Sequence, residues 1–231
     1  MGAFDNAKVV MINNKEVDSI KTNDGGVIYQ RPTNIVVTGD SVTLGYNGDQ
    51  WLDTNGNVII DWGDGTQSTV NNPTTKLTHN YTDNKQSHTI VFFGTITSLR
   101  YSCFDDCTGL TNITIPLSVT SLGNYCFHDC TNLTSITLPN SITNLGDMCF
   151  AFCTGLASVT IPSSVTTLGD YCFYKCSSLN TYQLYWTGNN IITYDSNKMP
   201  NNTNTKFYVP QGQKTNYVNK GYPSAKVIER S

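Results

Sequence analysis

Charge is what this chain has least of. Of its 231 residues only 13% are Asp, Glu, Lys or Arg, 14 basic against 17 acidic, for a formal net charge of −3. Binding to a phosphate backbone or an anionic membrane needs a basic face, so nucleic acid is excluded as a partner. Long apolar runs are also missing. None approaches the roughly 20 residues that cross a bilayer as a helix, and no membrane insertion is expected. The opening MGAFDNAKVVMINN has a single Lys and no continuous apolar core, which is not the layout of a secretory signal peptide. Either a leader has been removed or the protein reaches its place without one, as a virion protein assembled in the cytoplasm would. Histidine is rare: His79, His88 and His128 are the full set. None sits in a nucleophile motif, and neither Gly-x-Ser-x-Gly, a paired-carboxylate pattern, a phosphate-binding glycine loop nor a dinucleotide fingerprint occurs. No catalytic residue, metal or cofactor is nominated, and a non-enzymatic protein is expected.

What the chain does have is repetition. Four stretches 23 residues apart begin at Leu99, Leu122, Leu145 and Leu168. Each reads Leu, three residues, Cys-Phe, two variable residues, Cys, then Leu and a Thr-rich apolar alternation. All eight Cys fall on two lattices: Cys103, Cys126, Cys149 and Cys172, then Cys107, Cys130, Cys153 and Cys176. A fixed period of this length marks a solenoid, in which each coil covers the apolar face of the next. Within a coil, Cys126, Phe127, Cys130 and Leu133 stand at i, i+1, i+4 and i+7, the inward stripe of a short helical segment. The thiols then read as small buried hydrophobes, with disulfides between adjacent coils an alternative. Zinc is a poor fit, because Cys-x3-Cys has no supporting His.

Ile136 and Leu138 alternate with Thr137, a short strand with its apolar side inward. Ile113 and Ile115, Val159 and Ile161, and Tyr182 and Leu184 match them, and Pro116, Pro139 and Pro162 end three of these strands. Val119, Ile142 and Val165 supply a second inward anchor. The pattern Leu-Gly-x-x-Cys-Phe-x-x-Cys-x-x-Leu-x-x-Ile-x-Leu-Pro resembles the BspA-type leucine-rich repeat, with Cys where that family usually has Ala and Arg100 where its Gly stands. Lys206-Phe-Tyr-Val-Pro210 and Tyr217 resemble the family's closing segment. The resemblance spans residues 98–231 and implies adhesion to host or neighbouring-cell components.

Residues 33–97 carry short apolar strands between Gly, Asn and Asp turns, the marks of an all-β sandwich. Trp62-Gly-Asp-Gly-Thr66 with the later Tyr81 resembles a PKD-type, immunoglobulin-like domain, in which the Gly-Asp-Gly is a turn and the Trp sits in the core. This sandwich is expected to cap the first coil. Residues 1–32 read as a small β module, similar to N-terminal segments of virion proteins or simply a hairpin packed on the sandwich. The expected organisation is therefore the module at 1–32, the sandwich at 33–97, four coils at 98–187 and a closing segment at 188–231. Asp53-Thr-Asn55-Gly56-Asn57, with Asp64 in the twelfth place, has the alternation of a calcium loop, but Val58 stands where such a loop needs Gly.

Positions that vary between coils are where a partner would be read. One set is the strand face: Thr114, Thr137, Thr160 and Gln183. It reads equally as plain β-propensity on a solvated sheet. The other lies around the first Cys and between the two: Ser102, Tyr125, Met148 and Tyr171, then Asp105-Asp106, His128-Asp129, Ala151-Phe152 and Tyr174-Lys175. Tyr125, His128, Phe152, Tyr171 and Tyr174 would make an aromatic strip suited to sugars or protein hot spots, or would merely cover neighbouring coils. The expected function is recognition or adhesion on a virion or cell surface, through a cell-surface protein or glycan. The alternative is a structural decoration, fibre or assembly subunit, with self-association through the N-terminal module.

Overall fold

A computed structural model describes residues 41–45, 48, 50–54, 58–71, 73–82, 87–200 and 203–230, and the backbone of five earlier strands. Those strands are β1 (Met11–Ile12), β2 (Lys15–Glu16), β3 (Ser19–Lys21), β4 (Val27–Gln30) and β5 (Thr33–Thr38). β1 pairs antiparallel with β2 and β3 with β4. The packing expected of the 1–32 module, and its part in self-association, lie outside the described residues.

The next strands are β6 (Ser41–Leu44), β7 (Leu52–Thr54), β8 (Val58–Asp61), β9 (Gln67–Val70), β10 (Leu77–Asn80), β11 (Ser87–Phe93) and β12 (Ile96–Leu99). Alternation of apolar residues sets their inner faces: Val58 and Ile60 on β8, and Ile90 and Phe92 on β11, are buried, while Ile59 between the first pair is 40% exposed. Gly63 and Gly65 take positive φ in the turn after β8. A Cβ on Gly63 would stand 2.5 Å from the Thr89 carbonyl, so only glycine fits there. Trp62 is buried as expected, its Nε1 donating to Ser68 Oγ, and its carbonyl accepts from the Tyr81 hydroxyl.

Each coil adds two strands. β13 (Leu110–Ile113), β15 (Ser135–Thr137), β17 (Ser158–Ile161) and β19 (Thr181–Leu184) are the predicted Thr-rich strands, and β15, β17 and β19 pair in parallel. β14 (Ser121–Leu122), β16 (Asn144–Leu145) and β18 (Thr167–Leu168) form a second parallel sheet with β12, through Leu99, Leu122, Leu145 and Leu168 in register. The first sheet runs on past the coils into β20 (Lys206–Val209) and β21 (Val227–Glu229), with the single α-helix of the described residues, α1 (Lys214–Asn219), between them.

The expected boundary at 97–98 is crossed twice. β7 pairs antiparallel with β12 and so extends the second coil sheet. β13, from the first coil, is the edge strand of a five-stranded sheet ordered β13-β5-β11-β8-β9. The N-terminal region therefore caps the solenoid by lending it strands, which satisfies amides that an open coil would leave bare.

The Cys-Phe segment is not the short helix expected. It is a run of turns in which alternate amides leave the coil. Tyr125, Phe127 and Asp129 donate to Asp147, Cys149 and Ala151 of the next coil at 2.8–2.9 Å, while His128 and Cys130 donate three residues back. A helix would spend all these amides on itself and leave none to stack coils. The geometry needs two left-handed residues per coil: Ser102 and Asp106, Tyr125 and Asp129, Met148 and Phe152, Tyr171 and Lys175, with φ between 50° and 61°. The helical stripe and this arrangement bury the same residues. Every Cys is buried, and Phe104, Phe127, Phe150 and Phe173 stack face to face at 5.2–5.4 Å.

Stacking also explains the Leu-Gly pair. A Cβ on Gly146 would stand 2.5 Å from the backbone of Gly123 and Asn124 in the coil before. Arg100 escapes that limit because the chain beyond it is β7: its amide donates to the Trp51 carbonyl and its guanidinium pairs with Asp53 at 3.0 Å.

Candidate surface of recognition

Six side chains from four coils form one unbroken row of rings. Tyr101 meets Tyr125 at 5.6 Å, Tyr125 meets His128 at 5.4 Å, and His128 meets Phe152 at 5.3 Å. Phe152 then meets Tyr174 at 5.6 Å, and Tyr174 meets Tyr171 at 5.5 Å. Five of these are the residues singled out from the sequence, and the turns bring all five together. Most of the contacts are edge to face, the preferred arrangement of ring quadrupoles. Tyr101 and Tyr171 are about two-fifths exposed, at 39% and 41%; the other four are half-buried.

The row stays continuous because coil three shifts its ring by one place. Ala151 holds the lattice position of His128 and Tyr174 but is fully buried. Phe152, the next residue, bridges those two rings instead. Charge is distributed unevenly along the row. His128 Nδ1 lies 2.9 Å from Asp105 Oδ1, and Ser102 Oγ donates to the other oxygen of that carboxylate. At the far end the Lys175 ammonium lies 5.6 Å from the centroids of both Phe152 and Tyr174.

The strand-face residues behave differently. Thr137, Thr160 and Gln183 are in register with Tyr208, but Thr114 lies past the end of β13, which has turned to pair with β5. The expected ladder of four is a row of three. Arg230 closes its end, donating to the Leu184 carbonyl at 2.6 Å and lying 3.8 Å over the Tyr185 ring. Sequence reasoning missed Tyr101, which shares its lattice position with Asn124, Asp147 and Asp170; one aromatic among polar residues in that column was the available signal.

The thiols are free and buried. Cys130, Cys153 and Cys176 donate to the carbonyls of Phe104, Phe127 and Phe150 one coil back, and Cys107 to Thr43 of the cap, at 2.9–3.1 Å. Burial, with Asp105 and Asp106 nearby, pushes Cys107 up to about 12. Burial likewise raises Cys103, Cys126, Cys130, Cys149 and Cys172. Thiolate is the reactive form, so these sulfurs pack rather than react. The two carboxylates of the calcium-like stretch are engaged elsewhere: Asp53 with Arg100 and Gln50, Asp64 with Thr66 and His79. Asn55–Asn57 lie outside the described residues. Among the described residues no three His, Cys, Asp or Glu side chains converge as a metal site, and no helix is long and apolar enough to cross a membrane.

Several solved structures are similar to parts of the chain. A leucine-rich cell surface protein from Faecalibacterium prausnitzii is 31% identical over 38% of this chain and 26% of its own, with a TM-score of 0.36. The pneumococcal vaccine antigen PcpA is 14% identical over 58% and 41%, TM-score 0.46. The leucine-rich repeat protein of T. pallidum is 18% identical over 64% and 82%, TM-score 0.40. The chain thus spans about a quarter of the first of these proteins and two-fifths of the second. No curated protein matches it. The family model for the BspA-type leucine-rich repeat region matches residues 75–212 in six copies, two more than the four coils expected. The matched span reaches past the Cys-bearing coils at both ends, where β12 pairs with β14 and β20 with β19; Ile191, one period after Leu168, is buried like it. Because that match takes in more than half of its residues, the chain belongs to the BspA-type leucine-rich repeat family.

Proposed function

We propose that the chain is a non-enzymatic recognition or adhesion protein, displayed on a cell or virion surface, and that its solenoid meets a cell-surface protein or glycan through the ring row. The observation that carries this reading is where the rings stand. Tyr125, Phe152 and Tyr171 have φ of 57°, 61° and 57°, a conformation that favours Gly, Asn or Asp and disfavours bulky side chains by about 1–2 kcal/mol. The stack would accept a smaller residue at each place, as Ser102 and Asp106 do. Large rings held there against backbone preference, linked through His128 and Tyr174 into one row and partly open to solvent, support a role in binding. The adhesion implied by the BspA-type resemblance points the same way. Buried Trp62 and the Gly63–Gly65 turn support reading residues 33–97 as the PKD-type module that positions the solenoid.

The test is binding of the purified chain to intact cells and to a glycan array, with and without Phe152→Ala, Tyr171→Ala and Tyr174→Ala together. Binding should fall by at least about tenfold, the loss of roughly 1.4 kcal/mol or more expected when ring contacts are removed, while circular dichroism stays unchanged. Equal binding by the folded triple variant refutes the role of the row.

A further inference from the structure

The chemistry of the partner can be narrowed, on the premise that the ring row is a recognition surface. The fourth coil already lays a cation on the row, through Lys175 above Phe152 and Tyr174. At the same lattice position the first and second coils carry Asp106 and Asp129, both in the same left-handed backbone as Lys175. Asp105 adds a third carboxylate beside His128. Ring faces attract cations; one end of the row is supplied with an ammonium by the chain itself, and the other end is supplied with carboxylates.

We propose that the first two coils bind a cationic segment of a protein partner, its arginine or lysine side chains lying on Tyr101 and Tyr125 and paired with Asp106 and Asp129. Arginine suits the site better, since its planar head stacks on rings and bonds carboxylates at once. In a chain with only 13% charged residues, three carboxylates at one end of an aromatic row favour a charged partner over a neutral one. Two basic side chains stand at this end: Arg100, paired with Asp53 at 3.0 Å, and Lys76, which lines a cavity of about 240 Å³ together with Asp105 and Asp106; Asp53, Asp105, Asp106 and Asp129 outnumber them.

The experiment uses the full chain and two fluorescein-labelled peptides, one alternating Arg and Gly, the other with citrulline for every Arg. Fluorescence polarisation should show the Arg peptide binding at least about tenfold more tightly, with affinity falling as salt rises. Asp106→Asn with Asp129→Asn, which keeps residues suited to left-handed backbone, should lose about tenfold in affinity for the Arg peptide, the scale of one or two cation–ring or ion-pair contacts. Glu229→Gln, an exposed carboxylate in β21, should leave it unchanged. Equal binding of the two peptides, no binding of the Arg peptide, or indifference to the double variant overturns the proposal. Should neutral glycans bind instead, and be lost with Phe152→Ala, Tyr171→Ala and Tyr174→Ala, the partner is a glycan: the cationic assignment falls while the recognition surface stands.

Discussion

Phe150 and Phe152 sit two residues apart, and the structure gives their substitutions opposite meanings. Phe150 is fully buried and stacks on Phe127 at 5.2 Å and on Phe173 at 5.4 Å, within 4° of parallel on both sides. Cutting it to Ala opens a cavity between two coils, a change worth about 3–5 kcal/mol in close-packed cores. That is a large share of the roughly 5–15 kcal/mol of a typical domain. Phe152 is half-buried, with edge contacts to His128 and Tyr174. Phe152→Gly forfeits those, at about 0.5–1.5 kcal/mol each, and recovers about 1–2 kcal/mol by relieving a left-handed phenylalanine. The two contacts together forfeit about 1–3 kcal/mol, so the net change runs from a gain of about 1 kcal/mol to a loss of about 2 kcal/mol. Urea unfolding followed by circular dichroism reads the contrast. With a slope of roughly 3 kcal/mol per molar, Phe150→Ala should lower the midpoint by about 1 M or more, and Phe152→Gly by less than about 0.7 M. A Phe152→Gly loss as large as that of Phe150→Ala would refute the reasoning, because the row would then belong to the core.

Three further outcomes follow from the same packing. A colorimetric thiol reagent at pH 8 should modify fewer than one thiol per native chain and all eight in urea, since every sulfur is packed inside the stack, away from the reagent; rapid native labelling would contradict the closed stack. Gly146→Ala should destabilise by about 1–3 kcal/mol in the same urea assay, because the new methyl meets backbone that cannot rotate away; an unchanged midpoint would show that the coils can separate freely. Burial pulls the Asp64 carboxyl upward, but hydrogen bonds from Thr66 and His79 outweigh it and bring it to about 2. A carboxyl held below its unfolded value of about 3.9 contributes stability above that pH and loses it as pH falls toward 2. The stability gap between the protein and Asp64→Asn should therefore shrink between about pH 4 and pH 2, and a constant gap would contradict the assignment.

Much of the fold was legible because a repeat states its buried positions several times. The two Cys lattices, the Phe between them, the Leu that opens each coil and the alternation of Ile136 with Leu138 all proved inward. The helix was misread for a definite reason: burial at i, i+4 and i+7 is common to a helix and to overlapping turns that send alternate amides to the next coil. Only the neighbouring coil decides between them, and it is absent from any local window. The second parallel sheet escaped notice because its strands are two residues long. The extent of the repeat region escaped because the match runs past the Cys-Phe signature, where Ile191 still keeps the period of the opening Leu. The boundary at 97–98 follows the start of the 23-residue pattern, which cannot register that β5 pairs with β13 across it. For the surface, five rings were found from variation between coils, whereas Tyr101, in a polar column, needed the geometry.

Ala151 and Phe152 show how a solenoid can carry information without disturbing its own stability. The inward lattice tolerates almost no change, since each coil is packed against two others and an added methyl at Gly146 already collides. Apart from the buried Ala151, the two residues between the Cys pair are freed from that constraint: one column holds Asp105, His128, Ala151 and Tyr174, the next Asp106, Asp129, Phe152 and Lys175. Had coil three kept its ring in the first column, rings would stack one above another at the coil spacing, as the buried Phe ladder does. Moving it to the second column makes the row zigzag and turns each ring edge toward the next face. That also places Lys175 over two rings at once. The row is therefore a property of four coils read together, and no single coil contains it. A partner that recognises it must span coils, which is what a stack of repeats offers and a closed pocket does not.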